Sequence, residues 1–218
     1  IWLEEGARLN FISTQNYGVE TNYFYRRFFH LGKNSSVHFF SLNIGGKKGQ
    51  DSIHVDLIGD GSEFIAKSAA RGDGDQHQDI SANVRHIGKH TKSAFEHWAA
   101  MAGKAKGIFN GLIYVEREAL FTDAFQKAYG LILSKKAVIH GMPKLIIRTD
   151  EVACAHGASV SSVDPEHLFY LLSRGIDEAE ATRMIVAGFT ESVVEAIPLS
   201  EIQTRFRAYL EGKGIGAA

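Results

Sequence analysis

Ile53-His54-Val55-Asp56-Leu57, running into Gly59-Asp60-Gly61, decides how this chain is read. Ile53, Val55 and Leu57 alternate with His54 and Asp56, the two-residue period of a half-buried strand. The glycine-flanked aspartate then breaks the run. The pattern returns downstream. Ile80, Ala82 and Val84 alternate with Ser81, Asn83 and Arg85, and Leu112 and Tyr114 alternate with Ile113 and Val115, a strand apolar on both faces. Leu145 to Ile147 begins another strand, and Val152 to Val160 follows it. Turn clusters lie between, at Gly45-Gly46-Lys47-Lys48-Gly49, Gly72-Asp73-Gly74-Asp75 and Gly141-Met142-Pro143. The chain carries 22 glycines against 3 prolines, which suits many tight corners between short extended segments.

These strands recur at roughly 20–35 residues without a crisp repeat. Strands with few helix signals fit a sandwich, a barrel or a parallel β-helix. Hairpin dipeptides are sparse, Asp60-Gly61 and Asn110-Gly111 being the best, which tilts the reading toward a solenoid whose strands stack by coils.

The character changes after residue 163. Asp164-Pro165 is an N-cap followed by proline at the first helical position. Leu168, Phe169, Leu171 and Leu172 give an apolar face, and Gly175 sits where a C-cap glycine belongs. Asp177 caps a second predicted helix through Met184, Ile185 and Phe189. Ser200-Glu201-Ile202-Gln203 reads as a capping box for a third, with Ile202, Phe206, Tyr209 and Leu210 as its buried stripe. The tail Gly212-Lys213-Gly214-Ile215-Gly216 reads as mobile. The layout is a mainly β body over 1–163 and a small C-terminal α-helical domain over 164–218.

The 218 residues suffice for one large domain, or one domain plus an appendage. Hydrophobic residues make up 44% and charged residues 22%, ordinary for a globular chain. A net charge of -1 implies no bulk attraction to nucleic acid or anionic membrane. One cysteine cannot form an internal disulfide, so a reducing compartment, the cytoplasm, is expected. No apolar run approaches the roughly 20 residues of a spanning helix. The start, Ile1-Trp2-Leu3-Glu4-Glu5, shows no signal-peptide core and no initiator methionine, as a fragment or processed product would.

Cys154-Ala155-His156-Gly157-Ala158 holds that single cysteine, with His156 two residues on and so on the same side of an extended strand. Thiolate and imidazole together suit borderline and soft metals such as zinc and iron. Two ligands do not make a metal site. Either both residues fill space, or they face a groove or interface where a partner supplies the rest. His77, His86, His90 and His97 fall close together but match no known ligand spacing. There is no G-x-S-x-G elbow, and Gly59-Asp60-Gly61-Ser62-Glu63 lacks the lysine of a P-loop. Asp150 and Glu151 point to opposite faces of an extended chain, a poor acid–base pair. Leu168 to Ile176 presents two aromatics and an arginine, types enriched where proteins meet partners.

Taken in order, these stretches resemble the SufD family of iron–sulfur cluster assembly scaffolds. Gln15-Asn16-Tyr17 resembles an early strand motif of that family, and Gln76-His77-Gln78-Asp79 with His86 its Gln-His-x-Asp and downstream histidine. Gly107 to Val115, Asp123-Ala124-Phe125-Gln126 and Leu131 to Ser134 follow the same order. Cys154 to Ala158 and Leu168 to Ile176 are the most specific matches. The sequence departs at Val138 to Leu145, at Asp150-Glu151 in place of Asp-Asp, and in lacking the family's long N-terminal helical region.

The resemblance implies a right-handed parallel β-helix followed by a helical domain, and a scaffold rather than an enzyme. It implies a SufB-type partner subunit, a SufC-type ABC ATPase, and a transient iron–sulfur cluster shared with the partner. By that resemblance His156 is the cluster-contacting residue, with Cys154 beside it, and Phe169, Tyr170 and Arg174 lie in the ATPase-binding region. It places the chain in the cytoplasm, or in the plastid stroma if its source is a plant or alga. The isolated chain can also pair with itself through a sheet edge near residues 145–160. Two other readings stand beside this one. One is a structural adaptor that docks the ATPase without binding metal. The other is a β-helical metalloenzyme built on the His77–His97 group.

Overall fold

The structure is a computed structural model that describes residues 1–210, so the tail read as mobile lies outside the described residues. In chain order the strands are β1 (Trp2–Leu3), β2 (Arg8–Gln15), β3 (Asn22–Leu31), β4 (Ser36–Asn43), β5 (Lys48–Leu57) and β6 (Glu63–Gly72). They continue as β7 (His77–His86), β8 (Lys92–Met101), β9 (Lys106–Val115), β10 (Thr122–Ile132), β11 (Val138–Ile147) and β12 (Val152–Ser162). Three helices follow, α1 (Pro165–Ser173), α2 (Glu178–Glu195) and α3 (Ser200–Leu210).

Every strand pairing is parallel, and the strands sort into two six-stranded sheets, β1-β3-β5-β7-β9-β11 and β12-β10-β8-β6-β4-β2. The chain alternates between them and rises one rung per circuit, giving a parallel β-helix of about six turns. Val55 pairs with Val84 and Val84 with Ile113, a step of 29 residues. Elsewhere the step shrinks to 26, from Phe29 to Val55, or grows to 32, from Lys106 to Val138. That irregularity is why the repeat is not crisp in the sequence.

The predicted strands around Ile53, Ile80 and Leu112 all fall in the first sheet. The inward residues of that sheet, Phe29, Ile53, Val55, Ile80, Val84 and Phe109, meet Phe39, Phe64 and Phe95 of the second sheet in one continuous core. Asp60-Gly61 is a corner between parallel strands rather than a hairpin, and Asn110-Gly111 lies inside β9. Leu145 to Ile147 ends β11 rather than beginning a strand, and Gly141-Met142-Pro143 runs within it. Proline is tolerated there because β11 is the edge of its sheet.

The corners explain the glycines. One left-handed residue stands at each of successive corners, Gly6, Asn34, Gly61, His90 and Phe121, all with φ between 53° and 71°. Beside them, the Gly59 and Gly88 N–H groups donate to the carbonyls of Leu31 and Leu57, both at 3.0 Å. A Cβ on Gly59 would lie 2.0 Å from the Lys33 backbone nitrogen, so stacked corners approach too closely for a side chain.

The helical end packs on the outer face of the second sheet. Val193, Val194, Ile197, Phe206 and Leu210 cover Phe40, Leu42, Ala69 and Trp98, and Val186 covers Ala100 and Leu131. Asp164 and Asp177 cap α1 and α2, accepting from the N–H groups of Glu166 and Glu180. The predicted capping box at Ser200 takes another form. The Gln203 side chain turns back and donates to the Ile197 carbonyl at 2.8 Å, closing the end of α2.

Candidate functional site

Cys154 and His156 lie on β12, the last strand of its sheet, paired only with β10. Ala124 faces Cys154 in register and Gln126 faces His156. One rung further, Ala124 and Gln126 pair with Ser93 and Phe95, residues of the interior. Cys154 and His156 therefore share the inward parity of the coil, but among the described residues no further strand covers their outer edge. β11 is the edge of the other sheet at the same end, so both sheets stop together. The two residues stand about 7 Å apart along the strand.

Their surroundings differ. Cys154 is a free, half-buried thiol packed beside Leu145 and Val152 against Ile113, Val115, Ala119 and Ala124. Burial pushes its pKa up, partly offset by a hydrogen bond from the Ala124 backbone. His156 is exposed at the open end. Among the described residues no group of three or more His, Cys, Asp or Glu side chains is placed to hold a metal ion. What this end presents is a two-donor set on an uncovered strand, chemically suited to iron but short of a coordination shell.

The other histidines do not converge. His77 is on the outer face of β7. His86 is wholly buried, Nδ1 at 2.8 Å from Thr91 Oγ1 and Nε2 at 2.9 Å from Ser93 Oγ. His90 occupies a corner and stacks on Phe121. His97 is buried, with Nδ1 2.7 Å from Ser68 Oγ and its ring stacked on Phe109. Burial pushes His86 and His97 down to about 3, and both have hydroxyl partners that a metal would have to replace.

α1 has no buried residue. Phe169 is 72% and Tyr170 57% exposed, with the Arg174 guanidinium 5.2 Å from the Tyr170 ring centre. These three form one solvent-facing patch. A groove of about 340 Å³ on the outer face of the first sheet, lined by residues including His54, Asp56, Arg85 and Glu116, lies on the opposite side of the coil wall from inward-facing positions such as His156. Sequence reasoning named Gln126 only within a family motif and gave it no site role; it is fully buried on the strand next to His156, with both amide atoms unpaired. The available signal was Gly111, a glycine in the middle of a strand.

A two-sheet parallel solenoid covered on one outer face by helices, with a thiol and an imidazole on its last strand, is a parallel β-helix with an open end. Comparison with known proteins gives the family. The profile described as "SUF system FeS cluster assembly, SufBD core domain" matches residues 1–189, and the chain belongs to that family. Similar proteins include the iron–sulfur cluster assembly protein SufD of Bacillus subtilis, 32% identical over 195 residues, covering 88% of this chain and 44% of that protein. SufD of Escherichia coli is 30% identical over 167 residues, covering 77% and 40%. SufB of Bacillus subtilis is 32% identical over 167 residues, covering 77% and 36%. The chain thus spans less than half the length of these relatives.

Proposed function

We propose that this chain is the core of a SufD-type scaffold subunit, on which a nascent iron–sulfur cluster is assembled and handed on. The cluster is cargo, held transiently between this chain and a SufB-type partner. The observation that carries the reading is the pairing of Cys154 and His156 on the inward side of an edge strand with nothing above it. Half a coordination shell is useful only if another subunit completes it, and an edge strand is where another subunit adds. The chain carries out no turnover of its own in this reading. A SufC-type ATPase docks on the exposed patch of Phe169, Tyr170 and Arg174, and closure of the ATPase pair moves the scaffold interface. The division at residues 163 and 164 belongs to the same reading and is supported by the change from strand to helix there. Among the described residues no helix is long and apolar enough to cross a membrane. The reading places this work in the cytoplasm, or in a plastid stroma if the source is a plant or alga.

Anaerobic reconstitution with ferrous iron and sulfide, with and without the SufB-type partner, tests this. Cluster formation should require the complex and fall at least tenfold when His156→Ala is combined with Cys154→Ala. An unchanged yield sinks the site assignment. The adaptor reading, favoured by the bare face of α1, predicts that unchanged yield together with intact ATPase binding. Arg174→Glu should weaken ATPase binding several-fold in calorimetry while leaving the far-ultraviolet circular dichroism unaltered. Equal affinity would remove the patch from the docking surface.

A further inference from the structure

We infer that Gln126 is a positioning residue for His156, its side-chain amide held in reserve to orient the imidazole. This rests on the reading of His156 as a cluster-contacting residue. Gln126 sits on β10 in register with His156 on β12, and neighbouring strands run about 4.8 Å apart with side chains on the same face. The Gln126 side chain is wholly buried, and neither Nε2 nor Oε1 has a hydrogen-bond partner. Buried amides are nearly always paired, because an unpaired one forfeits its hydration for nothing. The inward neighbours along the same strand, Ala124 and Ala128, are apolar, so a methionine would fill the position without that penalty.

A second residue has adapted to the first. A Cβ on Gly111 would lie 1.9 Å from Gln126 Nε2 and 2.4 Å from its Cδ. The glycine in the middle of β9 therefore forms a cradle for this amide, although glycine weakens a strand interior. Two strands each accept a local cost to seat one amide in the interior, on the strand next to His156. The chemistry fits that placement. A metal-bound histidine commonly donates its other N–H to a carbonyl oxygen, which fixes the tautomer and the ring orientation. The Gln126 carbonyl supplies such an acceptor, and its NH₂ can donate to a sulfide or thiolate on the same rung.

Gln126→Met separates this from a core defect. Thermal unfolding reports the core, ¹⁵N shifts of the His156 ring report its tautomer, and iron and sulfide loading of the full complex reports the site. The inference expects Tm to rise by about 2–4 °C, the ring shifts to move toward a tautomer mixture, and loading to fall at least threefold. Gly111→Ala, which crowds the amide without removing it, should move the same ring shifts. Unchanged ring shifts in both variants overturn the inference, whichever way Tm moves. His156→Ala is the control. If it leaves loading intact, the underlying site reading fails. If it lowers loading while Gln126→Met does not, only the role of Gln126 fails.

Discussion

His86 and His97 stay neutral because the interior gives their charged forms no water. Both are pushed down to about 3 by burial, against about 6.5 in an unfolded chain. Between those values the unfolded state binds more protons than the folded one. Stability is therefore full above about pH 6.5 and falls as the pH drops below it, by up to about 1.4 kcal/mol per pH unit for each histidine. Chemical denaturation from pH 7 to 4.5 should show this slope, and His97→Gln should roughly halve it. Asp51 acts in the opposite sense, since burial raises its carboxyl pKa against the pull of the Arg27 guanidinium. Arg27 also donates to Ser13 at 3.0 Å, so the pair ties β2, β3 and β5 together. Removing the guanidinium alone strands a buried carboxylate. Arg27→Ala is expected to cost about 3–5 kcal/mol in urea unfolding, and the double change Arg27→Met with Asp51→Leu much less.

Strands of the first sheet were legible because their outer faces meet solvent, which leaves alternation such as Ile53-His54-Val55-Asp56-Leu57 intact. Of the second sheet only β12 was read, at Val152 to Val160; along the others α2 and α3 cover the outer face and remove the need for polar residues. Trp98 and Ala100 are as buried as His97, Ala99 and Met101, so the end of β8 shows no period at all. The helical caps were legible at Asp164 and Asp177, whose signals are local. At Gln203 the partner is a carbonyl at the end of a different helix, which no short motif encodes. The shared side of Cys154 and His156 followed from strand parity, but Gln126 entered only through a pairing 30 residues away. At the corners the stacking itself is testable. Gly59→Ala drives a methyl into the Lys33 backbone and should destabilise the fold by about 1–3 kcal/mol. An unshifted Tm would mean that the corners yield.

On the scale of the whole molecule, α2 and α3 share apolar clusters with the outer face of the second sheet, so the proposed division at residue 163 is bridged by a packed interface. Phe206 is fully buried against the sheet-covering cluster, and Phe206→Ala should cost about 3–5 kcal/mol. A chain ended after residue 163 would lay bare Phe40, Leu42 and Trp98 together, and light scattering should find it aggregated.

The uncovered rung of β12 also bears on supply. A strand that pairs on one side only offers free N–H and C=O groups to any similar strand. In the proposed reading, copies made in excess of a SufB-type companion are orphans with an adhesive rim. Sedimentation of the lone chain should reveal concentration-dependent self-association that the companion suppresses. A cell would have to match the synthesis of the two, or clear the surplus by proteolysis.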